Sequence, residues 1–274
     1  MNNLALRALS GVVFLAIMLA GILLNQYGFM ALLALLILGI SLEVSKLVLQ
    51  IYSIRNATVP IVQSLFLSVM FLGYAFLHLN PLLLCLVFWL LFVTVNIVFH
   101  SFNVLVHALF AMLCLLVWAP FTLLWQIGFE GSEVFGEWVS TQKVLPIFIL
   151  VWVNDTMAYV GGRSIGKRPL HSKVSPNKTW EGFFSGLLFA GLASYCMTYW
   201  ELGFIEQPGY IHIVAGITVG SMATLGDLFQ SALKRAAGVK DSGNLIPGHG
   251  GVWDRFDGVL FAIPTYFILN LILS

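Results

Sequence analysis

The stretch VLPIFILVWVNDTMAYVGGR, residues 144–163, holds one acid and one base among twenty positions and ends where a basic segment begins. Twenty helical residues rise about 30 Å, which matches the hydrocarbon core of a bilayer. Apolar segments of similar length occur nine times along the chain, this stretch included. They lie approximately at 8–25, 28–48, 59–79, 81–99, 104–127, 144–163, 180–199, 210–230 and 256–273. The sequence therefore predicts an all-α, polytopic integral membrane protein with about nine transmembrane helices.

The composition agrees with a membrane protein, because 59% of the residues are hydrophobic and only 9% are charged. A soluble domain carries about 25% charged residues. The net charge of +1 does not indicate the partners, and we expect no nucleic-acid partner. The cysteines Cys85, Cys114 and Cys196 lie in apolar runs without metal-binding spacing, so we expect neither a disulfide framework nor a zinc site.

The basic residues predict the orientation of the chain in the membrane. A cytosolic N terminus and nine spans place every lysine and arginine except Lys143 on the cytosolic side. The two long polar loops, 163–179 and 232–255, then share that side. We divide the chain into an N-terminal transmembrane scaffold of about five helices, 1–143, and a C-terminal catalytic transmembrane region, 144–274.

Acids inside or beside the later segments are the first chemical signal. An isolated charge at the centre of a membrane helix costs about 2.5–3.5 kcal/mol, so such acids usually face a cavity or a cation. One face of the eighth segment carries Asp227, Ser231, Lys234 and Arg235 at spacings i, i+4, i+7 and i+8. Asp254 and Asp257, at i and i+3, also share a face. Carboxylate oxygens on these faces suit magnesium, and the alternative is that these acids form ion pairs with the nearby lysines and arginines.

Two cytosolic stretches combine turn or capping residues with bases. The glycine-rich segment 240–251 contains KDSG and PGHGG, whose backbone N–H groups can turn toward phosphate oxygens. Ordinary loops use the same residues, so the turn becomes informative only because bases flank it. The stretch SPNKT, 175–179, leads into the seventh segment, and a helix N terminus with hydroxyls and a lysine attracts anions.

The octapeptide GGRSIGKR, residues 161–168, is close to a nucleotide-binding P-loop motif. Arg168 stands where a serine or threonine would bind magnesium, and the motif follows a membrane span instead of a strand. We therefore exclude a P-loop fold and keep Lys167 as a candidate phosphate contact.

Two longer stretches resemble a known family. SALKRAAGVKDSGNLIPGHGGVWDRFDG, residues 231–258, resembles the signature of the CDP-diacylglycerol synthase (phosphatidate cytidylyltransferase) family without a gap. DTMAYVGGRSIGKRPLHSKVSPNKTWEGF, residues 155–183, resembles the family's upstream motif, although Met157 stands where a small residue is common. The resemblance covers roughly residues 150–260, and the first half resembles the family only as a series of apolar spans.

The resemblance implies a polytopic, homodimeric enzyme with a cytosolic polar cavity open to lipid. It implies CTP (or dCTP) and phosphatidate as substrates, with magnesium and a second cation, potassium. The predicted catalytic residues are Asp227, Asp254, Asp257, Lys234, Arg235, Lys240 and Asp241, and the predicted metal ligands are Asp227, Asp254 and Asp257. The predicted substrate-binding residues are Asp155, Lys167, Lys173, Ser175, Asn177, Lys178, Thr179, Ser231, His249, Gly250, Gly251 and Arg255. His249 has two possible roles, shaping the loop or contacting phosphate.

Three other functions are compatible with parts of this pattern. A CTP-dependent lipid kinase, such as a polyprenol kinase, would transfer the γ-phosphoryl group, but the long 231–257 signature argues against it. A cytidylyltransferase acting on an archaeal-type ether lipid is a closer variant. A membrane transporter would need a counterpart of Asp155 or Asp227 in the first half, where Glu43 is the only acid before residue 130.

Overall fold

A computed structural model describes residues 3–23, 25–54, 58–77, 87, 90, 91, 94, 104–129, 140–203 and 208–273, and most of these residues are helical. The helices of the first half are α1 (Asn3–Leu23), α2 (Gln26–Ile51), α3 (Thr58–Leu77), α4 (Val104–Leu113) and α5 (Ala119–Phe129). A π-helical turn, Cys114–Trp118, joins α4 to α5. The second half contains α6 (Thr141–Ile165), α7 (Trp180–Cys196), α8 (Gly209–Ala236) and α9 (Val259–Leu273).

Six helical segments are long and apolar enough to cross a bilayer, as judged by length and composition. They are Gln26–Ile51, Thr58–Phe76, Val104–Phe129, Lys143–Ile165, Trp180–Trp200 and Gly209–Ala236, and two shorter apolar helices are Leu9–Leu23 and Val259–Leu273. This confirms the prediction of an all-α, multi-pass membrane protein. The predicted segment 81–99 lies largely outside the described residues, so the number of about nine spans stays a prediction, as does the cytosolic N terminus.

The chain forms two compact units. Unit 1 lies within Met1–Trp125 and Asp241–Arg255, so the glycine-rich loop belongs to the same unit as α1–α4. Its core includes Trp125, which stacks on Phe29 at 6.1 Å and meets Phe71 edge-on at 6.0 Å between ring centroids. Phe29 and Phe71 are fully buried. Close van der Waals packing of this kind holds helices together where lipid, and not water, surrounds them.

Unit 2 lies within Gln126–Ser132, Val139–Lys240 and Phe256–Ser274 and contains α6–α9. Its helices approach closely through glycines. A Cβ atom added at Gly186 would lie 2.8 Å from the carbonyl oxygen of Asn154, and one at Gly216 would lie 2.7 Å from Cβ of Ser194. Small residues at helix interfaces are typical of membrane proteins, because they let backbones pack directly against each other.

The predicted loop 163–179 contains a short hairpin. Strand β1 (Pro169–His171) pairs antiparallel with β2 (Ser175–Thr179), with Pro169 opposite Thr179 and His171 opposite Ser175. The hairpin thus gives the SPNKT stretch an extended backbone that runs directly into α7, and it belongs to unit 2.

Candidate active site

An ion pair between β2 and α8 lies at the centre of the polar site in unit 2. The Lys178 ammonium donates a hydrogen bond to Oδ2 of Asp227, and both side chains are half-buried. Ser231, one turn further along α8, donates to the other oxygen of Asp227 at 3.3 Å. The face predicted from the i, i+4 spacing is therefore confirmed for these two residues, and Lys178 joins it from the SPNKT stretch.

Two further acids interact with this pair. Asp257 interacts electrostatically with Asp227, whose negative charge disfavours a second charge beside it. The N–H of Gly258 donates to Oδ1 of Asp257 at 2.8 Å, which partly offsets this effect. Asp155 on α6 interacts electrostatically with Asp227 and Lys178. Three carboxyl groups thus lie around one lysine, and a bound cation would relieve the repulsion between them.

The close approach of α8 and α9 explains why Asp227 and Asp257 interact. A Cβ atom at Gly226 would lie 2.6 Å from the carbonyl oxygen of Asp257, and one at Gly258 would lie 3.0 Å from that of Ala223. Each glycine is adjacent in sequence to one of the two acids. A larger residue at either glycine would move the helices apart, and the acids would separate with them.

The hairpin that carries Lys178 is fixed at the start of α7. Oγ1 of Thr179 accepts the N–H of Gly182 at 3.1 Å, so this predicted substrate contact serves as the N-cap of α7. Oε2 of Glu181 accepts the N–H groups of Lys167 and Arg168 at 3.0 and 3.2 Å. These bonds tie the end of α6 to the start of α7 and limit the positions that Lys178 can take.

The glycine-rich loop in unit 1 is organised by backbone bonds. Oδ2 of Asp254 accepts the N–H groups of Ser242 and Gly251, each at 2.9 Å. Gly248 and Gly250 adopt positive φ angles of 75° and 83°, which explains the glycines in PGHGG. The loop therefore turns tightly around the carboxylate of Asp254.

Two predicted site residues, His249 within this loop and Arg255 just after it, form hydrogen bonds that hold the loop. A hydrogen bond of 2.8 Å joins Nδ1 of His249 to Oγ of Ser10. Nη2 of Arg255 donates to the carbonyl oxygen of His249 at 2.6 Å. Both contacts support the loop-shaping alternative for His249, and the phosphate-contacting alternative stays a prediction.

The remaining predicted residues lie on the accessible surface of their units. Lys234 and Arg235 are in the last turn of α8, where Nη1 of Arg235 donates to the carbonyl oxygen of Val239 at 3.1 Å. The residues with exposed side chains are Lys167, Lys173, Asn177, Lys240 and Asp241, and Ser175 is half-buried. Their positions leave them accessible to a ligand, and their roles stay predictions.

Glu43 in α2 is a polar residue that the sequence did not assign to a site. It is 3% exposed and its carboxylate accepts bonds from the glycine-rich loop of the same unit. The sequence did contain an indication of this role, because a lone acid in an apolar helix is energetically unfavourable unless it has partners. Its partners could not be identified from spacing along α2.

The candidate metal ligands are carboxylates, which are hard oxygen donors. Among the described residues, no group of three or more His, Cys, Asp or Glu side chains is arranged as a metal site. Magnesium commonly takes one or two carboxylates, with waters and substrate phosphates as its other ligands. Asp227 and Asp257, which interact within unit 2, provide such a pair. The assignment of Asp227, Asp254 and Asp257 as metal ligands stays a prediction.

Comparison with known proteins adds an independent line of evidence. A model of the cytidylyltransferase family matches residues 5–273. A phosphatidate cytidylyltransferase of Rickettsia bellii is 37% identical over 146 residues, which cover 52% of this chain and 62% of the relative. One of Staphylococcus aureus strain COL is 42% identical over 132 residues, 47% of this chain and 48% of the relative. The matched stretches thus span about half to three fifths of these relatives' own length.

Proposed function

The chain belongs to the cytidylyltransferase family, and from this premise we propose that it transfers the cytidylyl group of CTP (or dCTP) to phosphatidate. The products are CDP-diacylglycerol and pyrophosphate, and the step belongs to phospholipid synthesis. The names of the similar proteins from Rickettsia bellii and Staphylococcus aureus support phosphatidate as the acceptor. The observation that carries the proposal is the Lys178–Asp227 pair with Asp155 and Asp257 around it, an anionic cluster suited to a cation-assisted reaction of phosphates.

The acceptor needs no enzymic base. A phosphomonoester has a second pKa near 6, so the phosphatidate headgroup is largely ionised at pH 7. Its oxygen attacks the α-phosphorus of CTP in line, the bond from that phosphorus to the bridging oxygen breaks, and pyrophosphate leaves. Catalysis then depends on positioning and on neutralising negative charge.

The residues of the chain fulfil these two needs in different ways. Lys178 and Ser231 each hold one oxygen of Asp227 and so fix the orientation of its carboxylate. Asp254 holds the N–H groups of Ser242 and Gly251, which sets the course of the glycine-rich loop. The bases Lys234, Arg235, Lys240 and Arg255 and the lysines Lys167 and Lys173 neutralise polyphosphate charge.

Magnesium, with potassium as a second cation, is part of the proposal. Asp227, Asp254 and Asp257 would hold it, and when bound it supplies charge neutralisation at the reacting phosphates. The interaction of Asp227 with Asp257 beside Lys178 supports these two acids as ligands, and Asp254 is proposed from the sequence alone.

The membrane environment follows from the acceptor. The acyl chains of phosphatidate stay in the bilayer while its headgroup meets a water-soluble nucleotide, so we place the active site at the cytosolic face. The lysine and arginine distribution supports this side. A homodimer is proposed from the family resemblance alone, and light scattering of the purified protein, corrected for bound detergent, tests it.

Transfer of label from CTP distinguishes the proposed reaction from its alternatives. Purified protein is incubated with phosphatidate, magnesium, and CTP labelled at the α- or the γ-phosphate. Entry of the α-label alone into lipid supports cytidylyl transfer, whereas entry of the γ-label identifies a lipid kinase. If neither label enters lipid, the proposal fails and transport is reconsidered. Repeating the assay with an archaeal-type ether phosphatidate tests the ether-lipid variant.

A further inference from the structure

Glu43 is a buried acid in a helix that otherwise consists mainly of apolar residues. It lies in α2, is 3% exposed, and is the only Asp or Glu before residue 130. Burying a carboxylate in such surroundings is energetically unfavourable unless its oxygens accept hydrogen bonds. We therefore expect hydrogen-bond donors that replace the water molecules lost on burial.

Those partners come from the glycine-rich loop of unit 1 and from the two residues that follow it. Oε1 of Glu43 accepts the N–H of Val252 at 2.8 Å. Oε2 accepts the N–H of Trp253 at 2.9 Å and the hydroxyl of Ser242 at 2.7 Å. Every contact is a donor to the carboxylate, which matches the acceptor-only character of an ionised glutamate. Hydrogen bonds to a charged acceptor are stronger than neutral ones.

The loop backbone is built closely around this carboxylate. A Cβ atom at Gly251 would collide with Oε2 of Glu43 and with the Ser242 hydroxyl. A Cβ atom at Gly243 would lie 2.7 Å from Oε1 of Glu43. The absence of a side chain at these two glycines therefore leaves room for the Glu43 side chain.

The same loop also binds the carboxylate of Asp254. Ser242 gives its hydroxyl to Glu43 and its N–H to Asp254. Gly251 gives its N–H to Asp254, and the next two N–H groups go to Glu43. Glu43 and Asp254 thus hold the same two ends of the loop, and we expect a change at Glu43 to alter the backbone groups that bind Asp254.

We propose that Glu43 is a positioning residue for the reaction, which fixes Ser242 against Val252–Trp253 and thereby sets the geometry of the glycine-rich loop and of Asp254. It touches no reacting atom. This inference rests on the proposed function, because it assumes that the loop contacts the nucleotide. It assigns a role in the reaction to a helix that the sequence indicated only as scaffold.

The test compares Glu43→Gln with Gln63→Met in the full-length protein purified in detergent. Glutamine keeps the shape of Glu43 but turns an N–H₂ group toward N–H donors. Gln63 is a matched control, because it is fully buried in the same unit and donates to the carbonyl oxygen of Val106 at 3.0 Å, away from the loop. Amide hydrogen exchange and kinetics with CTP are measured for both variants.

For Glu43→Gln we expect exchange in residues 242–253 to accelerate roughly tenfold or more, and the KM for CTP to rise by a similar factor. The KM for phosphatidate should change less than about threefold, by the same argument. Gln63→Met should leave exchange in the loop unchanged, whatever it does to the thermal midpoint. Equal effects of the two variants on the loop and on the KM for CTP would reduce Glu43 to a general stabiliser and overturn the proposal.

Ser242→Ala keeps the proposal testable if Glu43→Gln does not fold. It removes one of the three donors to Glu43 and leaves the backbone bonds in place. We expect exchange in residues 252–253 to rise about threefold with little change in the thermal midpoint. Unchanged exchange in Ser242→Ala would contradict the proposed link between the two ends of the loop.

The exchange measurement also separates this inference from the proposed function. If the wild-type protein moved no α-label into lipid, the function would be wrong while the exchange data still judged the Glu43–loop contact. If label transfer were normal and Glu43→Gln kept wild-type exchange and kinetics, only the role of Glu43 would be wrong.

Discussion

Lys178 donates a hydrogen bond to Asp227 across 49 residues of sequence and so joins strand β2 to helix α8. The pair brings together the two stretches of sequence that carry the chemical signal, the SPNKT hairpin and the acidic face of α8. Because Asp155 and Asp257 interact with the same pair, the lysine compensates only part of the negative charge. This residual charge is the physical basis for the predictions on Asp227 and Lys178.

Replacing Asp227 by asparagine should reduce turnover by about a hundredfold or more, because a neutral amide is a poor ligand for a hard cation. The substitution is nearly isosteric, so insertion into the membrane and the thermal midpoint should change little. Label transfer from α-labelled CTP, measured over a range of magnesium concentrations, checks the expectation. Near-normal turnover at ordinary magnesium would show that Asp227 is not a metal ligand.

Lys178→Ala should raise the KM for CTP by roughly tenfold, because it removes a cation that pairs with Asp227 and that we predict to contact the nucleotide. His171→Ala is the matched control, since His171 is an exposed residue of the same hairpin that is not assigned to the site. Steady-state kinetics of both variants, with their yields from the membrane, give the comparison. Identical kinetics for Lys178→Ala and the wild type would remove the hairpin from the site.

Gly226→Ala should lower activity by about a hundredfold, because misplacing a catalytic group by about 1 Å can cost that much. The added Cβ would lie 2.6 Å from the carbonyl oxygen of Asp257 and 3.0 Å from the ring of Phe261, so α9 must shift. Gly73→Ala in α3 is the control, because nothing lies within 4 Å of its added Cβ. The control should keep its activity and its thermal midpoint. Wild-type activity in Gly226→Ala would mean that the α8–α9 contact does not set the site.

The parts of this protein that were predictable from sequence are those encoded locally. The apolar segments follow from the solvent, because a bilayer admits few alternatives to a helix. The face shared by Asp227 and Ser231 follows from helical periodicity. Glu43 was missed for the opposite reason, since its partners lie 199 to 210 residues away along the chain. The interaction of Asp155 with Asp227 likewise depends on how α6 and α8 pack, which spacing within one segment does not reveal.

Asp254→Asn distinguishes the loop contact of Asp254, which the structure shows, from the metal binding that we predict for it. Oδ2 of Asp254 accepts the N–H groups of Ser242 and Gly251, and the carbonyl oxygen of asparagine can accept the same two bonds. A purely structural Asp254 would therefore tolerate the change. As a metal ligand it would lose its charge, and turnover should fall by about a hundredfold. We expect that loss together with amide exchange in residues 242–251 within about threefold of the wild type. A variant that stayed active would end the metal assignment, and one that lost loop protection along with activity would make Asp254 a structural residue.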